Sequence, residues 1–173
     1  MVSSIVIFAI MSKKNTLLDC SELTPTATVV IFDKKMKRIL LVFNERLMAF
    51  VPPGGKQIPK DKGDIVHTAF REIKEELGIK LKTVSGNWMN KKGKKVRKPT
   101  VIQEEDFELI GEKYCDFLFF FRLTGDYPEI FEAEKIGEWY RRETVKNPSV
   151  KIEGKAFQML VPGIRKVILD LLR

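Results

Sequence analysis

Gly54-Gly55-Lys56, followed by Arg71-Glu72-Ile73-Lys74-Glu75-Glu76-Leu77-Gly78-Ile79, is the stretch on which the reading of this chain turns. Ile65 to Leu77 has the apolar spacing of a helix, with Asp64 placed to cap its start and Gly78 to stop it. At 100° per residue, with Glu72 set at zero, Glu75 falls at about 300° and Glu76 at about 40°. Val66, Ala69, Phe70, Ile73 and Leu77 fall between about 60° and 160°. The helix therefore docks by one apolar stripe and carries three carboxylates on the arc beside it. A solvated acidic face is the plain alternative, but three like charges this close repel and call for cations. Arg71, one turn before Glu75, can fix that carboxylate in one rotamer. Upstream, the glycines of Pro53-Gly54-Gly55-Lys56 permit close backbone approach, and the lysine can meet a phosphate. Carboxylates with carbonyls and room for water form a hard-oxygen site, which selects Mg²⁺, with Mn²⁺ as a substitute, over zinc.

Working outward, Thr26 to Phe32 and Arg38 to Phe43 read as strands joined by a hairpin turn at Asp33 to Lys37. Val51-Pro52-Pro53-Gly54-Gly55 breaks that pattern. Lys80 to Trp88 reads as a strand, Lys92-Gly93-Lys94 as a polar turn, and Val96 to Ile102 as the returning arm. Tyr114 to Leu123, nearly continuous in apolar residues, reads as a central strand covered on both faces. Ile136 to Tyr140 is a short strand, and Pro162 to Leu172 a closing helix with proline in its first turn. Strands interrupted by two helices predict an α/β class: an α/β/α sandwich with a mixed β-sheet between helices. The expected organisation is an N-terminal arm or strand over residues 1–25 and one domain over 26–173.

The 173 residues, 44% apolar and 31% charged, exclude collagen-like, low-complexity and disordered classes. Ile5 to Met11, the longest apolar run, is far short of the roughly 20 residues that a membrane span needs, and it lacks the flanks of a signal peptide. It is read as a strand or an ordered arm, with Met11 as an alternative start to Met1. Cys20 and Cys115 lie far apart, with neither metal-site spacing nor a disulfide framework, and are expected as reduced, mostly buried thiols of a cytoplasmic protein. The net charge of +8 is local. Lys80, Lys82, Lys91, Lys92, Lys94, Lys95, Arg97 and Lys98 carry it, with no acid between Gly78 and Gln103. A solvated hairpin and an electrostatic funnel for a polyanion are the two readings of that segment.

Gly55 through Ile79 resembles the Nudix box, the signature of hydrolases acting on nucleoside diphosphates linked to another moiety. Arg71 through Ile79 reproduces the family's Arg-Glu-apolar-x-Glu-Glu-x-Gly-apolar core, and the likeness extends more loosely from Thr26 to the C-terminus. One departure is a loop two residues longer between Gly55 and Arg71. Gly63 stands where the family usually has another Glu, leaving Asp61 or Asp64 as a stand-in. The resemblance implies that Glu72, Glu75 and Glu76 bind metal with the Gly54 carbonyl, and that one carboxylate acts as general base. Glu134 is the first choice for a distal acid and Glu132 the second, with Glu104 and Glu105 as candidates on another loop. Lys56, Trp139, Lys94 and Arg97 are the candidate substrate contacts. His67, the only histidine, falls on the helix face away from the carboxylates and is read as a surface residue. Trp88, Tyr114 and Phe117 to Phe121 are read as core before base-stacking groups.

The implied activity is a Mg²⁺-dependent pyrophosphohydrolase acting on a nucleoside polyphosphate, such as a nucleoside triphosphate, by water attack on phosphorus. Its partner is then a small nucleotide, with no membrane, and a homodimer is compatible with these readings. The alternatives are hydrolysis of a dinucleoside polyphosphate, an ADP-ribose-like compound or a capped RNA end, and a non-catalytic nucleotide- or RNA-binding module. RNA is the less favoured partner, because a pure binder has no use for three preserved helix glutamates.

Overall fold

The computed structural model describes residues 23–99, 104–109, 112–126, 137–147, 149–152, 155–159 and 162–172. The apolar run at Ile5 to Met11, Cys20, and the candidate acids Glu132 and Glu134 lie outside the described residues.

β1 (Thr24–Phe32) and β2 (Arg38–Asn44) form the expected hairpin, pairing Ile31 with Leu40 and Phe32 with Ile39. Its turn is tied by Asp33, whose carboxylate accepts from the amides of Lys37 and Arg38 at 2.6 and 2.9 Å. β3 (Ala49–Val51) pairs with β2, and β4 (Gly54–Lys56) with the first half of β1. A strand thus begins within the stretch read as a break. Gly54 sits so close to β1 that a Cβ there would stand 2.2 Å from the Ala27 carbonyl oxygen, so only glycine lets these two strands meet.

α1 (Ile65–Leu77) has the predicted bounds. Asp64 accepts from the Val66 amide at 2.8 Å, and Gly78, at φ 66°, closes the helix by donating to the Lys74 carbonyl. The strand expected over Lys80 to Trp88 is corrected. Leu81–Thr83 is a 3-10 turn that buries Leu81, with the Thr83 amide donating to the Lys80 carbonyl, and only Gly86–Met89 is extended, as β5. β6 is short, Lys95–Val96, so Arg97 to Pro99 lie past its end.

β7 (Glu104–Leu109) folds back on β8 (Glu112–Leu123), which runs parallel to β1 along the whole length of β1. β9 (Gly137–Arg141) lies against β2, and the short α2 (Arg142–Lys146) follows it. β10 (Ser149–Ile152) and β11 (Lys155–Met159) extend the sheet beyond β3, and α3 is Pro162–Leu171. Among the described residues the sheet runs β10-β11-β3-β2-β1-β8-β5-β6, with β4, β7 and β9 completing it. It is mixed, and helices cover both faces. Ala27, Val29, Ile31, Phe119 and Phe121 pack against Ala69, Ile73 and Leu77 of α1. Val30, Phe32, Leu118 and Phe120 pack on the other face against Ile168 and Leu171 of α3. The central strand is therefore apolar on both sides because both sides are roofed.

The thiol expectation is corrected at Cys115, which is fully buried on β8 and disulfide-bonded. No described helix is long and apolar enough to cross a membrane.

Candidate active site

The site is assembled where α1 crosses the Gly54-Gly55 strand. Glu76 is almost fully buried, and its Oε2 accepts from the Gly54 amide at 3.0 Å, tying the helix to the loop at its last turn. Gly55 lies beneath Glu72: a Cβ at this position would stand 2.5 Å from the Glu72 carboxylate. The two glycines therefore serve different ends, one admitting β1 and the other leaving space for a carboxylate.

Arg71 organises the rest. Its Nη1 donates to Glu72 Oε1 at 2.8 Å and to Glu75 Oε2 at 2.7 Å, so the expected partner one turn on is present together with the neighbouring glutamate. Its other edge is held by Asp61, Nε to Oδ1 at 2.8 Å and Nη2 to Oδ2 at 3.0 Å, and Nη2 also donates to the Lys56 carbonyl at 2.8 Å. Asp61 in turn accepts from the Ile58 amide and the Thr68 hydroxyl, both at 3.0 Å. It reaches this position because Pro59–Asp61 forms a 3-10 turn, followed by Lys62 and Gly63 in left-handed backbone at φ 54° and 75°. The longer loop is thus a folded device that returns an acid to the arginine. Of the two acids read as stand-ins, Asp61 enters the site, and Asp64 caps the helix.

The electrostatics follow from these contacts. Arg71 and the Ile58 and Thr68 bonds hold the Asp61 carboxyl down at about 2, against the opposing pull of burial. The guanidinium, gripped first by Asp61, is pushed further up from its already high value. Burial pushes the Glu72 carboxyl above the ordinary range; Arg71 pulls it back, and the charges of Glu76 and Glu75 add to the push. The arginine therefore does not fully balance the carboxylates around it. Among the described residues no three acidic, histidine or cysteine side chains already point together as a metal cage. Glu72 and Glu75 face Arg71, and Glu76 faces the Gly54 amide.

The remaining candidates are spread around the sheet. The Lys56 ammonium lies over the Tyr114 ring, 5.1 Å from its centroid. Tyr114 is buried, and Trp88 packs edge-on against Phe70, Phe119 and Phe121, so both are core, as read. Trp139 stands opposite Leu40 on β9 and packs with the core on the α1 face. His67 is exposed, with Asp64 3.9 Å away. Lys94 and Arg97 are exposed. The turn that holds Lys94 adjoins α3, where a Cβ on Gly93 would meet Leu171 at 3.3 Å, while the glutamates ride on α1 across the sheet. Glu104 and Glu105 stand on β7, a strand rather than the expected loop, in register with Phe117 and Asp116. The sequence reading passed over Asp116, which is buried on the α3 face and accepts from the Thr26 and Thr28 hydroxyls at 2.8 and 2.9 Å.

The family model of the NUDIX domain matches residues 22–160. The chain belongs to this family. It is a Nudix hydrolase, with the box residues on α1 and its preceding loop. Among solved structures, a NUDIX-family hydrolase from Clostridium perfringens is 22% identical with a TM-score of 0.57, covering 86% of this chain and 95% of that one. The C. elegans Ap4A hydrolase, in a binary complex, is 17% identical with a TM-score of 0.57, covering 86% and 94%. The E. coli dihydroneopterin triphosphate pyrophosphohydrolase is 14% identical with a TM-score of 0.56, covering 87% and 97%. These likenesses show a shared fold over nearly the full length of each. No curated protein matches the chain.

Proposed function

We propose that this Nudix hydrolase is a Mg²⁺-dependent pyrophosphohydrolase that cleaves a nucleoside polyphosphate. The observation that carries the reading is Glu72 and Glu75 held on one arginine, with Glu76 on the same helix tied to the Gly54 amide, beside a loop that glycine keeps open. Its donor set fits a hard divalent cation. Burial has raised Glu72, its neighbours repel it, and the space above Gly55 is filled by its carboxylate. Glu72, Glu75 and Glu76 would hold the ion with the Gly54 carbonyl. When bound, the metal neutralises charge on phosphate oxygens and lowers the pKa of water.

The chain's own residues do the rest. Arg71, clamped by Asp61, fixes two of the carboxylates in defined positions beside the loop. Lys56 offers a cation for the phosphate chain, and one carboxylate, from the helix or from Glu134, takes the proton of the attacking water. In-line attack on phosphorus needs positioning and charge more than a covalent nucleophile, which suits this set of groups. Two of the similar folds carry names of phosphate-chain substrates, Ap4A and dihydroneopterin triphosphate, which is in keeping with a polyphosphate substrate here.

The test is incubation of a nucleotide panel with Mg²⁺, Mn²⁺ or chelator in ¹⁸O-water, with the products separated by charge. The expected result is metal-dependent cleavage with ¹⁸O in one phosphate product. Absence of turnover on every phosphoanhydride, or turnover unchanged by chelator, refutes the reading.

A further inference from the structure

A cavity lined entirely by residues outside the glutamate cluster lies elsewhere on the sheet. It encloses about 610 Å³ where the β1–β2 turn meets the end of β9, within the size range of small-ligand sites. Asp33, one of its lining residues, follows Thr28 by five residues, and Thr28 is the register partner of Gly54. At ~3.3 Å per residue the cavity therefore begins about 16 Å along the sheet from the metal-binding loop.

Six cations line it: Lys34, Lys35, Lys37, Arg38, Arg141 and Arg142. Its three acids answer them only in part. Asp33 is buried and engaged with two turn amides, and Asp126 pairs with Lys34 at 3.6 Å, which leaves Glu143. Arg38 and Arg141 are direct register partners across β2 and β9, and strand parity puts both side chains on one face. Like charges directly opposite each other destabilise a strand pair. Among the described residues neither arginine has an ion-pair partner, so an anion between them would turn repulsion into two attractions.

We propose that this groove is a second binding site, specific for a short chain of phosphoryl groups such as a free oligophosphate. Arginine forks match phosphate oxygens in pairs, and the three turn lysines supply charge at points along the chain. The lining contains no aromatic residue on which a base could stack, which favours a bare phosphate chain over a nucleic-acid strand. The site is separate from the carboxylate cluster and does not depend on the reaction assigned there.

The experiment is calorimetric titration of the full chain with inorganic tripolyphosphate in chelator-containing buffer, at two salt concentrations. The proteins are wild type, Arg38→Ala/Arg141→Ala and Glu75→Gln/Glu76→Gln. The proposal expects one equivalent bound by wild type, weakened by salt. It further expects at least tenfold weaker binding in the arginine variant and unchanged binding in the glutamine variant. The arginine variant should melt at or above the wild-type temperature, since a repulsion is removed; the single Arg141→Ala variant repeats the measurement if the double variant does not fold. Failure of wild type to bind, equal binding in the arginine variants, or loss confined to the glutamine variant overturns the proposal. So does a ten-nucleotide RNA that binds tenfold tighter than tripolyphosphate through the same arginines, which would assign the groove to a nucleic-acid strand.

Discussion

Replacing Asp61 by Asn should cost about 3 kcal/mol of stability at neutral pH, although the residue lies in a loop. Its carboxyl is held at about 2 against an ordinary 3.8, and at roughly 1.4 kcal/mol per unit this ionisation contributes about 2 kcal/mol to folding. Asn keeps the shape but presents an NH₂ to one prong of the Arg71 fork, where two donors then face each other, at a further cost of about 1 kcal/mol. The sum sits at the lower end of what breaking a buried pair costs, about 3–5 kcal/mol. For a chain of this length it corresponds to a fall in Tm of roughly 10 °C. The pH dependence has a fixed sign. Because the folded-state value is depressed, the contribution is complete above about 4 and is lost as pH falls towards 2. The wild-type advantage, measured by urea denaturation at a series of pH values, should therefore shrink from about 3 to about 1 kcal/mol over that interval. An advantage below about 0.5 kcal/mol at pH 7, or one that stays constant down to pH 2.5, refutes the clamp as the source of the stability.

Glu75→Gln and Glu76→Gln should each fold, with melting temperatures near wild type, and lose at least about a hundredfold in metal-dependent kcat, because Gln keeps the volume and loses the charge. Steady-state kinetics with a fluorescence melt check this, and near-normal turnover in both removes them from catalysis. Arg71→Lys should lower kcat more than tenfold, since one ammonium cannot reach Asp61, Glu72, Glu75 and the Lys56 carbonyl together. A variant with full activity and unchanged metal affinity shows the fork to be dispensable. Gly55→Ala should displace the Glu72 carboxylate and reduce activity while the fold survives. Gly54→Ala, whose Cβ would meet rigid strand backbone at 2.2 Å, should lose several kcal/mol or fail to fold. Circular dichroism melts and kinetics on the two variants distinguish a displaced side chain from a displaced strand.

How far this site could be read in advance depended on whether each piece was local. α1 was legible to the residue because its cap, apolar stripe and glycine stop lie within fifteen consecutive positions, and each signals the same element. The Leu81 segment misled because one buried leucine between lysines has the same alternation in a strand and in a 3-10 turn; only the packing of Leu81 beneath the sheet separates them. β4 was hidden for the opposite reason, since Gly54 and Gly55 have no side chains to show a period, and their extended form is imposed by β1 beside them.

Asp61 shows where local reading ends. The resemblance places it, together with Asp64, only as a stand-in for a missing glutamate. Its actual role needed the ten-residue return from the loop to Arg71, and the sequence carried only a faint mark of it, the Lys62-Gly63 pair that turns the chain through positive φ. A buried acid that meets both edges of one guanidinium is a statement about distance in space, and no spacing rule along the chain encodes it. The two extra residues of the loop and the aspartate therefore belong to one solution. The loop is long enough to fold a 3-10 turn, the turn aims the acid, and the acid fixes the arginine that fixes the carboxylates. Shortening the loop by two residues while keeping Asp61 should accordingly cost activity as well as rigidity, because the acid would no longer arrive at the arginine.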